Sequence, residues 1–103
     1  VAQVAWTRAA ERDLEALHDY IAIESPNAAL AVVARLGARV QQLTRQPDSG
    51  GRLPELGRSR YRQLVEPPCR IIYRRDRRTV AILRVIRFER VLDVRKLEAA
   101  LDD

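Results

Sequence analysis

The sequence predicts an α+β domain in which a helical hairpin packs on one face of an antiparallel sheet. Three observations carry that expectation. Two amphipathic stretches are separated only by Ser25-Pro26, apolar-rich strand segments broken by short turns follow residue 60, and a glycine- and proline-rich stretch divides the two regions. The 103 residues, 1–103, have the length of one domain.

Each element has a local reason. Val1–Trp6 (VAQVAW) reads as a short strand with Val4 and Trp6 on one face. Thr7 is a suitable N-cap for a helix over 8–24, whose apolar stripe is Ala10, Leu14, Leu17 and Ile21. Asp13, Glu15, Asp19 and Glu24 fall on the remaining surface of that helix. Ser25 caps a second helix with Pro26 at its first position, running to about Gln46 and burying Ala29, Val32, Val33, Leu36, Val40 and Leu43. Pro47 ends it, and a join this short makes the two helices antiparallel. Residues 47–59 read as a loop. A three-strand meander follows over 60–66, 69–75 and 79–88, with turns at Pro67-Pro68 and 76–78. Asp93 can cap a short last helix carrying Val94, Leu97 and Leu101 on one side.

The strands hold a second signal. Ala81, Leu83 and Val85 alternate with Ile82, Arg84, Ile86 and Phe88, and both sets are largely apolar. In the preceding strand Ile72 sits between Arg70 and Arg74, while Cys69, Ile71 and Tyr73 share the other parity. A sheet with one wet face should be polar on one parity. The helix-free face is therefore expected to be an apolar groove studded with arginine, covered in part by the last helix and otherwise by a partner.

Charge is unevenly placed. Residues 1–50 sit near −1 and residues 51–103 near +6, within a net charge of +5. A basic half points to an anionic partner. All the cations but Lys96 are arginine, which fits planar bidentate recognition and a GC-rich genome equally well. Cys69 stands alone, so an intramolecular disulfide or a cysteine metal centre is excluded. The longest apolar run, Ala28–Ala34, is far short of the roughly 20 residues a membrane span requires. A cytoplasmic protein without membrane contact, metal or cofactor is expected.

Several segments resemble a known family. They are W-T-x-x-A-x-x-D-L (Trp6, Thr7, Ala10, Asp13, Leu14), Y-I-x-x-x-S-P (Tyr20 to Pro26) and P-x-x-G-G-R-x-x-P-E-L (Pro47 to Leu56). The hairpin Y-R-Q-L-V (Tyr61 to Val65) with P-x-R-I-I-Y-R (Pro68 to Arg74) and a strand ending R-V-I-R-F complete the set. In this order, over about residues 4–93, they resemble the RelE/ParE superfamily of type II toxin–antitoxin toxins. The resemblance implies a RelE-like fold and a cognate, ParD-like antitoxin whose extended C-terminal half wraps the toxin.

The family divides by target. Its RelE branch cleaves ribosome-bound messenger RNA without metal, and its ParE branch poisons DNA gyrase. Metal-free cleavage needs a base for the 2′-OH, cations on the phosphate and an acid for the leaving oxygen. Arg62, Arg70, Arg84 and Arg87 supply cations, and Arg70 matches the family's phosphate-holding arginine. The second basic position, two residues after Arg62, is Leu64, and no Tyr or His follows Phe88. Arginine stays protonated and is a poor proton shuttle. The favoured reading is a ParE-like gyrase inhibitor that is not an enzyme and has no catalytic residues. The alternatives are a RelE-like ribosome-dependent endoribonuclease and a basic nucleic-acid-binding module, and direct nucleic-acid binding is the less favoured partner because no helix has a recognition-type basic face. Arg62, Leu64, Arg70, Ile72, Arg84, Ile86, Arg87 and Phe88 are the expected antitoxin- or target-binding residues.

Other chemistry-bearing residues favour blander roles. His18 reads as a structural or surface histidine, and Cys69 as a small buried hydrophobe. Glu66, Tyr61 and Tyr73 read as packing or edge residues more than as acid–base groups. Gly50-Gly51-Arg52 lacks the Lys-Ser/Thr and the helix of a phosphate loop. Arg74, Arg75, Arg77 and Arg78 flank a turn that reads first as solvated and second as a contact for DNA or an acidic partner.

Overall fold

The computed structural model describes residues 1–101, so Asp102 and Asp103 of the expected domain lie outside the described residues. Chain order is β1 (Gln3–Trp6), α1 (Arg8–Ala22), α2 (Pro26–Gln41) with a 3₁₀ turn at Gln42–Thr44, β2 (Gly51–Arg52), β3 (Tyr61–Glu66), β4 (Cys69–Asp76) and β5 (Thr79–Arg87). A 3₁₀ turn at Val94–Lys96 then leads into α3 (Leu97–Leu101). The strands form one sheet in the order β1-β5-β4-β3-β2. β1 runs parallel to β5 and the other pairs are antiparallel.

The predicted caps are present. Thr7 Oγ1 accepts from the Ala10 amide at 3.2 Å and Ser25 Oγ from Ala28 at 3.1 Å, with Pro26 opening α2. Asp93 caps the last turn, accepting from the Arg95 amide at 3.1 Å. The expected meander is the centre of a larger mixed sheet. β1 joins it because the strand–helix connection at Thr7 sets it beside β5, and β2 is a two-residue strand inside the stretch expected to be loop. Pro67-Pro68 makes the β3–β4 turn with a cis peptide bond.

Two cores explain why both strand parities are apolar. Under the helices, Leu17, Leu36, Val40 and Leu43 pack on Leu64, Ile71, Tyr73, Val80, Ile82 and Val85. On the opposite face lie Leu53, Ile72, Leu83, Ile86, Leu92, Leu97 and Ala100. Full burial of each large apolar side chain contributes about 1.5–3 kcal/mol, so both faces stabilise the sheet. The helix-free face expected to need a partner is thus largely covered by the chain itself. The 47–60 loop lends Leu53, and the C-terminal segment lends Leu92, Leu97 and Ala100.

The alternation in β5 is interrupted. Ile72 pairs with Arg84 and Tyr73 with Ile82, which leaves Leu83 as an extra residue, a β-bulge. The bulge moves Val85 from its expected companions Ala81 and Leu83 to the helix-side core, while Ile86 joins the opposite one. Register arguments from strict period two fail past such a residue.

Candidate functional site

β1 reaches only as far as Ile82 along β5, so the remaining edge of β5 needs other partners for its backbone. The start of α1 supplies them. The Thr7 hydroxyl donates to the Ile82 carbonyl at 2.7 Å, and the Asp13 carboxylate accepts from the Val85 amide at 2.9 Å. The same carboxylate accepts from Arg84 Nε at 2.7 Å and Nη2 at 3.0 Å. This hydrogen bonding, more than any other factor, pushes the Arg84 pKa up and fixes its charge.

Pinned this way, α1 and β5 form the walls of a cleft of about 510 Å³, closed at the end by residues 90–96. Asp13, Leu17 and Tyr20 line it from α1, and Arg84, Val85, Ile86 and Arg87 from β5. The turn beyond β5 adds Arg90, Val91, Asp93 and Lys96. The Arg87 guanidinium stacks 4.2 Å above the Tyr20 ring, with Nε 3.3 Å from Glu89. Tyr20 and Val91 remain 56% and 93% exposed on the lining, so the cleft offers unburied apolar surface. Four cations against Asp13 and Asp93 make it electropositive. Cys69 lies on its floor, and burial pushes its thiol up to about 11. The Cys69 sulfur is therefore a protonated packing group at neutral pH.

The eight expected contact residues are divided by the fold. Arg84, Ile86 and Arg87 line the cleft, and Phe88 follows on the exposed turn. Arg70 lies on the opposite face, clamped by Glu55 through bonds of 2.7 and 2.8 Å while its Nε donates to Gln63 at 2.7 Å. The Arg70 bond holds the Glu55 carboxyl below the usual range. Ile72 is sealed in the second core and Leu64 in the helix-side core, so neither is presented to a partner as the sequence suggested. Strand alternation is the reason: Leu64 shares the parity that meets the helices, and the chain's own Leu53 and C-terminal segment cover Ile72. Arg62 turns to the 47–50 loop and donates to the Gly50 carbonyl at 2.9 Å.

Sequence reasoning missed Asp13, Tyr20, Arg90, Val91 and Lys96. The spacing Asp13, Leu17, Tyr20 on one helix face is a signal that could have found half of the cleft. His18 pairs with Asp19 at 3.1 Å and lines a separate hollow with Trp6, Leu14 and Val33. Among the described residues no cluster of His, Cys, Asp or Glu could hold a metal ion, and no helix is long and apolar enough to cross a membrane.

A helical hairpin on one side of the sheet, a short C-terminal cover on the other and a basic cleft at the α1–β5 seam define a small α+β domain. Residues 4–92 match the ParE toxin of the type II toxin–antitoxin system parDE, and the chain belongs to that family. Among solved structures it is similar to a chain of the chromosomal ParDE toxin–antitoxin system from P. aeruginosa, with 28% identity and a TM-score of 0.68. That match covers 85% of this chain and 97% of the other. No curated protein matches.

Proposed function

We propose that this toxin acts by binding and inhibiting DNA gyrase, and that a cognate ParD-like antitoxin neutralises it by seating an acidic, amphipathic segment in the α1–β5 cleft. Membership of the ParE family supports the first part, and the ParDE system to which the chain is similar supports an antitoxin partner. The cleft supports the second. Tyr20 and Val91 suit apolar anchors, and Arg87, Arg90 and Lys96 suit carboxylates. A segment that orders on binding must outweigh its lost freedom, which desolvated aromatic and arginine contacts can do.

One observation favours an inhibitor over a ribonuclease: the four candidate arginines do not gather in one place, only Arg84 and Arg87 sharing the cleft. Arg62 faces Gly50, Arg70 faces Glu55 and Arg84 faces Asp13, while Arg87 lies on Tyr20. A phosphate-cleaving centre needs such groups around one oxygen, with a titratable acid and base beside them. The test is a supercoiling assay with purified gyrase, ATP and relaxed plasmid. Accumulation of relaxed or cleaved plasmid, reversed by the antitoxin, is expected. Normal supercoiling together with transcript cleavage in the ribosomal A site would reject the proposal.

A further inference from the structure

The β4–β5 hairpin tip lies at the other end of the sheet from the cleft. The eight residues of β4 run from Cys69 on the cleft floor to Asp76 at the tip, about 23 Å at the rise of an extended strand. Two groups of guanidinium side chains flank the tip, each around one carboxylate and on opposite faces of the sheet. Arg60 and Arg74 share Asp76, while Arg75 (2.5 Å) and Arg62 (3.9 Å) share Asp48. Arg75 Nε also donates to the Arg77 carbonyl at 2.9 Å, which sets Arg77 and Arg78 beside the group. Both of those side chains are exposed and have no partner among the described residues. Six arginines against two aspartates leave +4 here, most of the chain's net +5.

The backbone adds an independent observation. Arg77 sits in the two-residue turn with a left-handed φ of 54°. Glycine or asparagine fills such a position at lower conformational cost. Arginine therefore holds this position against the turn's own preference, with its charge in solvent.

We infer that this tip is a contact surface for the phosphate backbone of duplex nucleic acid, separate from the cleft and indifferent to base sequence. An acidic protein segment fits less well, because protein interfaces centre on buried apolar anchors. The exposed Tyr20, Ile23, Leu30, Val65, Phe88 and Val91 all lie outside residues 74–79. Single strands fit less well too, since they need aromatic platforms, and Tyr73 in this hairpin is fully buried. No helix presents the basic face of a groove reader, so the contact is made to phosphates, as counterion release favours. Binding here leaves the cleft open to a protein.

The experiment is fluorescence anisotropy of a mixed-sequence 20-base-pair DNA duplex titrated with the full chain at several salt concentrations. Arg77→Gly combined with Arg78→Ala is the informative variant, because glycine relieves the left-handed turn and so preserves folding. Its salt slope is expected to fall by about 0.9 per lost contact, roughly 2 in all, with affinity at 0.1 M salt down more than about tenfold. An Arg87→Ala, Arg90→Ala cleft variant should bind duplex like the parent. The inference is overturned by a parent chain that does not bind duplex at 50 mM salt, or by a tip variant with an unchanged slope. Displacement of duplex by poly-glutamate at equal charge would also overturn it, in favour of an acidic protein partner. Since the tip and the cleft are tested by different variants, failure here leaves the gyrase assay unaffected.

Discussion

Replacing Asp13 with alanine tests the seam on which the cleft depends. The carboxylate is 16% exposed and accepts three hydrogen bonds, two from Arg84 and one from the Val85 amide. Its loss strands a mostly buried guanidinium and an edge amide that no other strand reaches. An unsatisfied buried amide costs about 1–3 kcal/mol, and a broken buried ion pair about 3–5 kcal/mol. Arg84 keeps 28% of its side chain in solvent and can rehydrate in part, which pulls the total to roughly 3 kcal/mol. For a domain of this size that lowers Tm by roughly 15 °C. Urea denaturation of Asp13→Ala, Arg84→Met and the double variant measures it. The double variant should be less damaged than the sum of the singles, with a coupling of about 1.5 kcal/mol or more, because it no longer buries an unpaired charge. A cost below about 1 kcal/mol for Asp13→Ala, or additive single effects, would refute the claim that this pair fastens α1 to β5.

Three further outcomes are expected. Gly50→Ala sets a Cβ 2.6 Å from the Gln63 carbonyl oxygen and 2.7 Å from the Tyr73 ring, so it should destabilise the chain by about 1–3 kcal/mol in thermal melts, and an unchanged Tm would contradict the close approach. The Glu55 pKa is depressed by Arg70, so their clamp contributes in full above the ordinary carboxylate range and is lost as pH falls through the lowered folded value; Arg70→Ala should move the Glu55 carbon resonance titration back up, and no movement would show that the clamp is absent in solution. Cys69, buried and with its thiol near 11, should resist iodoacetamide at pH 7.5 in the folded chain and react promptly once denatured, whereas fast labelling of the native chain would mean that the cleft floor opens.

Much of the fold was legible because its local signals agree. Thr7 and Ser25 cap as their chemistry suggests, and the stripes of α1 and α2 fall on the helix-side core. What sequence could not supply came from non-local pairing. Nothing near Gln3 announces a parallel partner at Thr79, and Gly51-Arg52 is too short a strand to show a period. The bulge at Leu83 was equally hidden, since an inserted residue changes parity without changing composition. From that one residue follows the mistaken grouping of Val85 with Ala81 and Leu83, and of Ile86 with Ile82.

The arginines show why a charge pattern reads as function less directly than a hydrophobic pattern reads as fold. An apolar side chain at the right period must be buried somewhere, so its position is informative alone. A guanidinium can be satisfied by the chain's own acids, by solvent or by a partner, and these look identical in sequence. Glu55 on Arg70 and Asp13 on Arg84 withdraw two of the expected contact residues into the fold's own pairing. Both acids lie far from their partners in the chain, 15 and 71 positions away, beyond any local rule. Two groups of the other cations have contrasting neighbours: Arg87, Arg90 and Lys96 lie among exposed apolar groups, and Arg77 and Arg78 lie in an all-polar turn. Protein partners need buried apolar anchors and phosphate backbones do not, so the neighbours of these cations, rather than their number, indicate what that end of the molecule can hold.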